Sequence, residues 1–180
     1  EFTAAARALR KEGITAEFLL AGEIPAGHPD ALSLAELEDI RHEGVVKVLG
    51  HVSTMRELLQ ESAVFCLPTT YGEGVPRVLL EAAACAVPIV ATDMPGCREA
   101  VRNGDTGILV PPHNHAALVD ALRELLTNAP RAAAMGERGR VHIAQAKLTL
   151  RDTVTQTLRL YQHYAAAPLQ LWYTTSILLT

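Results

Sequence analysis

The chain has 180 residues, 49% of them apolar and 20% charged, with 16 basic against 20 acidic side chains and a formal net charge of −4. This is an ordinary globular composition, long enough for one domain with a real core, and its charge argues against binding nucleic acid through bulk electrostatics. Three cysteines, Cys66, Cys85 and Cys97, form no C-x-x-C pair, which argues against a zinc ribbon and a disulfide scaffold alike.

Phe2 to Lys11 is Ala-rich with Phe2, Ala5, Ala6 and Leu9 on one face, and predicts an amphipathic helix stopped by Gly13. Ala16 to Ala21 is a short apolar strand closed by Gly22. Pro25 to Leu32 is a loop rich in Pro, Gly and Asp. Ser33 with Glu36 three residues on predicts a capping box, opening a helix that ends near Gly44. Val45 to Leu49 is a second strand. Ser53 or Thr54 caps a helix through Ser62, and Val64 to Leu67 is a third strand ended by Pro68. A polar loop, Thr69 to Gly74, leads into a helix from Pro76 to Ala86. Val87 to Ala91 is the fourth strand, Cys97 to Arg102 a short helix, and Gly107 to Val110 the fifth strand. Helices follow over about His115 to Thr127, Arg131 to Gln145 and Leu150 to Ala165.

The strands are continuous apolar runs, as suits strands buried on both faces of a parallel sheet. The fold class is therefore α/β, a Rossmann-like doubly wound sheet, in which ligands bind beyond the carboxyl ends of the strands. The loop Pro68 to Pro76 occupies that place. Cys66 and Cys85 lie in apolar runs and read as buried thiols, in keeping with a reducing compartment. No signal peptide opens the chain. Its start already reads as helix, so the chain reads as part of something longer. The uncharged stretch Tyr164 to Thr180 contains Pro168 and polar residues, and is too short and too polar for a membrane span.

The chemistry gathers around Glu73 and Glu81, in Glu73-Gly74-Val75-Pro76-Arg77-Val78-Leu79-Leu80-Glu81. Glu73 falls in the loop and Glu81 inside the helix. Pro76 suits the first helical position, where its missing N–H costs nothing. Gly74 permits close approach of a ligand to the backbone. The free N–H groups after Pro76 suit a diphosphate. Arg77 either adds a charge there or points to solvent. The two carboxylates are acceptors suited to sugar hydroxyls. The plainer alternative makes Glu73 a loop charge and Glu81 a surface residue. Ala82-Ala83-Ala84-Cys85-Ala86 next to Glu81 would let the helix pack closely on a sheet, and a glutamate beside such a stripe needs a polar partner if buried.

The run Leu67 to Asp93 resembles the signature of the retaining GT-B glycosyltransferases of family 4. Pro95 to Val101, Gly104 to Val110 and Val48-Leu49-Gly50-His51-Val52 continue the likeness, which covers residues 1 to about 165. The Glu-Gly-Val-Pro-Arg form is similar to a bacterial subgroup that builds lipid-linked surface polysaccharides and glycans. The resemblance implies that Glu81 would hold the ribose hydroxyls of a nucleotide. Glu73 would sit by the donor sugar as the catalytic candidate. The donor would also be held by Gly74, Val75, Pro76, Arg77 and Val78. Backbone N–H groups at Val75, Arg77 and Val78 would face sugar and diphosphate; Pro76 has none and stands where the family usually has glycine. Main-chain groups near Val52 would recognise the base, expected to be uracil. Transfer would proceed with retention, without a metal and without a cofactor beyond the donor, a UDP-sugar. A GT-B enzyme has two Rossmann-like domains. Residues 1–165 would be the donor-binding second domain without its first strand, and 166–180 an unmatched tail. The glycan or lipid-linked acceptor would be bound by the absent first domain, so the fragment would not turn over alone. The whole enzyme would work in the cytoplasm, peripheral at the inner face of a bacterial membrane, and the fragment would not span it.

Weaker signals read as local structure. His113 and His115 flank Asn114 without a partner set for a metal, and suggest a loop or helix-capping role. His51 lies near the expected base pocket and serves either the nucleotide or loop polarity. Asp93 suits a turn. Arg98 and Glu99 open a short helix. Asp120 and Glu124 share a helix face and read as solvated. Three other functions compete. A dinucleotide oxidoreductase is disfavoured because Gly22-Glu23-Ile24 does not continue into G-x-G-x-x-G. A non-catalytic nucleotide-binding module and a sugar-nucleotide epimerase of the same fold remain.

Overall fold

A computed structural model describes residues 1–24, 32–72, 74–146, 148 and 150–165. The order is α1 (Phe2–Lys11), β1 (Phe18–Ala21), α2 (Leu34–Glu43), β2 (Val46–Gly50), α3 (Met55–Glu61), β3 (Phe65–Leu67), α4 (Arg77–Ala84), β4 (Ile89–Thr92), α5 (Pro95–Ala100), β5 (Gly107–Val110), α6 (His115–Thr127), α7 (Ala129–Gln145) and α8 (Leu150–Ala165). Every expected helix and strand is present, with boundaries displaced by a few residues at most; the loop expected over Pro25 to Leu32 lies, but for Leu32, outside the described residues.

The displacements have local causes. Pro76 is not the first helical residue. It stands one position earlier, with an extended ψ of 118°, and its carbonyl accepts the Leu79 N–H at 3.0 Å. The chain thus turns into α4 on an extended proline, and α4 begins at Arg77. Its other end stops at Ala84 because Ala86 is left-handed, with φ 57°. The N–H of Val87 then donates to Ala82 O and that of Ala86 to Ala83 O, the paired closure of a Schellman turn. The short helix expected from Cys97 starts two residues earlier, because Pro95 fits its first turn. Thr54 precedes α3, but its side chain makes no capping bond. The Ser33–Glu36 capping box is present in full, and α2 ends on Gly44 at φ 66°, a backbone conformation that glycine adopts without strain.

All strand pairs are parallel. They form two ladders, β1-β2 and β3-β4-β5. One apolar cluster serves both: Phe18 of β1 and Val46 of β2 belong to it, as do Val90 of β4 and Val110 of β5, with Ala5, Ala6 and Leu9 of α1 and Leu118, Leu122 and Leu125 of α6. Phe2 meets Phe18 edge-on at 6.1 Å. β4 is buried at all four residues, as expected of a strand covered on both faces. Cys66 and Cys85 are only half-buried, whereas Cys97 on α5 is the fully buried thiol. β3 is paired on one side only, which leaves its residues less covered than those of β4. Desolvation still pushes the Cys66 thiol up to about 12.

The chain divides into two compact units, Glu1–Ile143 and Ala144–Thr180. The first holds the five strands of the described residues. The second holds α8, whose Val154, Leu158 and Tyr161 are exposed. Residues 166–180, expected as an unmatched tail, lie outside the described residues. Among the described residues no helix is long and apolar enough to cross a membrane.

Candidate functional site

The site is built where strands end and helices begin. α1 starts beside the end of β5, with His113 Nδ1 3.6 Å from the Glu1 carboxylate, and then delivers the chain to the start of β1. β1 therefore runs the same way as β5, and the carboxyl ends of both ladders face one side. On that side lie His51 and Val52 after β2, the loop from Pro68 after β3, the turn at Asp93 after β4, and Pro111 to His113 after β5.

α4 is the central element. Among the described residues its start carries no side-chain cap, and its first turn holds no acidic residue. The Leu79 N–H is taken by the Pro76 carbonyl. The N–H groups of Arg77 and Val78 precede the first intrahelical bond and belong to the unsatisfied set at any helix start. Pro76 is buried and fixes the entry of the chain, while Gly74 is exposed, Val75 and Val78 are half-buried, and a Cβ on Gly74 would meet nothing within 4 Å. Leu79, Ala82 and Ala83 anchor the helix in the interior. Arg77 and Glu81, one turn apart, stay outside. Arg77 Nε–H donates to Glu81 Oε1 at 3.0 Å, with the arginine side chain 90% exposed and the glutamate 40% exposed. Glu81 thus has the polar partner that its place beside the alanine stripe calls for, and Arg77 lies in solvent while making that bond.

The expected residues Gly74, Val75, Pro76, Arg77, Val78 and Glu81 are brought together on the entry to α4. Val52 is half-buried on the loop between β2 and α3, and α3 packs on α4. Glu73 lies outside the described residues. His51 is exposed, its Nδ1 4.0 Å from Glu23 Oε1 across the ends of β2 and β1.

Sequence reasoning missed the pair at the end of β4. Asp93 is not simply a turn residue: Arg98 grips both of its oxygens, Nε to Oδ1 at 2.6 Å and a terminal nitrogen to Oδ2 at 3.1 Å. This guanidinium holds the Asp93 carboxyl below the usual carboxylate range. The Thr92 hydroxyl beside it is buried and has no hydrogen-bond partner among the described residues. Asn114, not a histidine, caps α6, its side chain accepting from Ala117 N–H. Asp120 and Glu124 are paired with Arg123 and Arg131. His142, also missed, is buried on α7 with both ring nitrogens unpartnered among the described residues. Its signal was present: it falls on the buried Ala132-Met135-Gly136-Gly139 face at helical spacing. Among the described residues no group of three or more His, Cys, Asp or Glu is placed to hold a metal ion.

Residues 1–128 match the family described as "Glycosyl transferases group 1". The chain belongs to that family. It is 41% identical over 92 residues to the phosphatidyl-myo-inositol mannosyltransferase of Mycobacterium leprae, covering 51% of this chain and 24% of that one. It is 32% identical over 170 residues to the D-inositol 3-phosphate glycosyltransferase of Kribbella flavida, covering 86% of this chain and 40% of that one. Among solved structures it is similar to the sucrose-phosphate synthase of Thermosynechococcus elongatus, with TM-score 0.78, 25% identity and 92% and 43% of the two chains covered. It is also similar in fold to HepE of Anabaena in complex with UDP, with TM-score 0.63, 18% identity and 93% and 54% covered. The group 1 chain thus spans well under half the length of these two curated relatives, and its α/β architecture is that of GT-B glycosyltransferase structures.

Proposed function

We propose that residues 1–165 form the donor-binding domain of a retaining, metal-independent glycosyltransferase of family 4. The whole protein would take a sugar from a UDP-sugar and pass it to a glycan or lipid-linked acceptor held by a further domain. The observation that carries the reading is the start of α4, where an uncapped helix end and a carboxylate one turn on share one exposed face. In this reading the N–H groups of Arg77 and Val78 take the diphosphate. Glu81 accepts from the ribose hydroxyls, Glu73 and Val75 serve the donor sugar, and main-chain groups by Val52 take the base. The leaving diphosphate is stabilised by helix N–H groups and a guanidinium rather than a metal, which is electrostatic stabilisation of developing charge. The acceptor and the turnover belong to the whole enzyme, at the cytoplasmic side of a bacterial membrane.

The test is a donor-cleavage assay on the full-length protein. UDP-sugars are incubated with and without a chelator, UDP release is followed, and the anomeric configuration of the product is read by NMR. Release of UDP that survives chelation, with the donor's configuration kept, is the expected result. An inverted product or a chelator-dependent rate contradicts the mechanism, and no release from any UDP-sugar contradicts the donor.

A further inference from the structure

Arg77 sits where it does little for its own helix. A cation in the first turn opposes the positive end of the helix dipole, and no acidic residue in that turn offsets it. The order of the pair is also the weaker one, since a carboxylate preceding its cation by four residues stabilises a helix better than the reverse. Yet the side chain is laid back along α4 onto Glu81, its Nε–H on Oε1 at 3.0 Å, while remaining 90% exposed. A vicinal diol binds a carboxylate best when both oxygens are open to its two hydroxyls. The bond from Arg77 takes one of the acceptor sites on Oε1 and so competes with that arrangement.

We propose that Arg77 is a latch on Glu81, released by the diphosphate of the incoming ligand. This rests on the donor-site reading above and adds a coupling to it. An exposed ion pair four residues apart is weak and breaks readily. A diphosphate at the start of α4 offers the guanidinium a more highly charged partner, and charge-assisted bonds to phosphate favour arginine. Once Arg77 turns to the phosphates, Glu81 Oε1 is free for the ribose. A nucleoside without phosphates competes with the pair for Glu81; a nucleoside diphosphate draws the guanidinium away from it. Arg77 is thus a positioning residue through which phosphates at one end of the ligand prepare the carboxylate for its other end.

The experiment compares the full-length protein with its Arg77→Met variant, which keeps the aliphatic stem and removes the charge at an exposed position. Uridine and UDP affinities are measured by ligand-observed NMR and calorimetry. The variant is expected to bind UDP about five- to tenfold more weakly and uridine about twofold more tightly. Uridine binding to the wild type is expected to tighten when inorganic pyrophosphate is added, and this response is expected to vanish in the variant. Equal weakening of uridine and UDP, or no change in either, overturns the latch while leaving the donor site standing. Failure of the wild type itself to bind UDP overturns the donor-site reading and the latch with it.

Discussion

The two ends of α4 are built on opposite principles. At its C-terminal end the backbone closes the helix: Ala86 turns left-handed, and the N–H groups of Ala86 and Val87 reach back to Ala83 and Ala82. α7 comes down on that turn so closely that a Cβ on Gly136 would lie 2.0 Å from Ala86 O. At the N-terminal end no side chain caps the helix among the described residues, its first turn holds a cation, and a Cβ on the adjoining Gly72 or Gly74 would meet nothing within 4 Å. α2 shows that the chain can close a helix start when that start has no other use, since Ser33 and Glu36 satisfy each other's backbone there. A closed end contributes stability, and an open one keeps donors available to a ligand.

Substitutions at the two ends should therefore separate stability from binding. The largest effect is expected from Gly136→Val, which forces side-chain atoms into the Ala86–Pro88 backbone. Overpacking against backbone that cannot yield should cost about 3 kcal/mol or more, read as a fall in the urea midpoint. Next comes Glu81→Ala, expected to weaken nucleotide binding about tenfold, near 1.4 kcal/mol, with a melting temperature close to that of the wild type. An equal loss of stability would place Glu81 in the structural half of the comparison. Ser33→Ala should cost about 1 kcal/mol of stability and leave nucleotide affinity unchanged.

A pH series sharpens that third prediction. The Ser33 hydroxyl, and then its N–H, hold the Glu36 carboxyl below its ordinary value. A carboxyl lowered in the folded state contributes stability above its unfolded pKa and loses it as the pH falls through the folded one. The difference between wild type and Ser33→Ala should thus be full at neutral pH and shrink in acid, measured by thermal melts across the series. The smallest effect is expected at the closed end of α4. Ala86→Gly relieves a left-handed alanine and should raise stability by up to about 1 kcal/mol, with nucleotide affinity unmoved.

The strands were legible because each is an apolar run closed by glycine, proline or a polar turn, and such runs have few alternatives in an α/β chain. The Ser33–Glu36 box was legible because its chemistry is local. Proline was harder to place. At Pro76 and Pro95 the same residue type stands before one helix and inside the first turn of another, a choice set by the backbone that precedes it. The grouping of Gly74 to Glu81 could be read from spacing. That Arg77 engages Glu81 could not, because spacing allows the contact without selecting it over solvent. The Asp93–Arg98 pair spans a strand end, a turn and a helix, so its partners meet through tertiary geometry rather than through any period. At Gly136 a Cβ would collide with the Ala86 backbone, and nothing in its neighbours distinguishes it from Gly139, whose Cβ would make only ordinary contact.

The central claim is that the open start of α4 is a nucleotide-diphosphate site organised by Glu81. Calorimetric titration of the protein with UDP, UDP-sugars, GDP and NAD, repeated with Glu81→Ala, tests it most directly. The account predicts that UDP binds and that the variant binds it about tenfold more weakly without loss of fold. Binding of NAD, or UDP binding indifferent to Glu81, would contradict it.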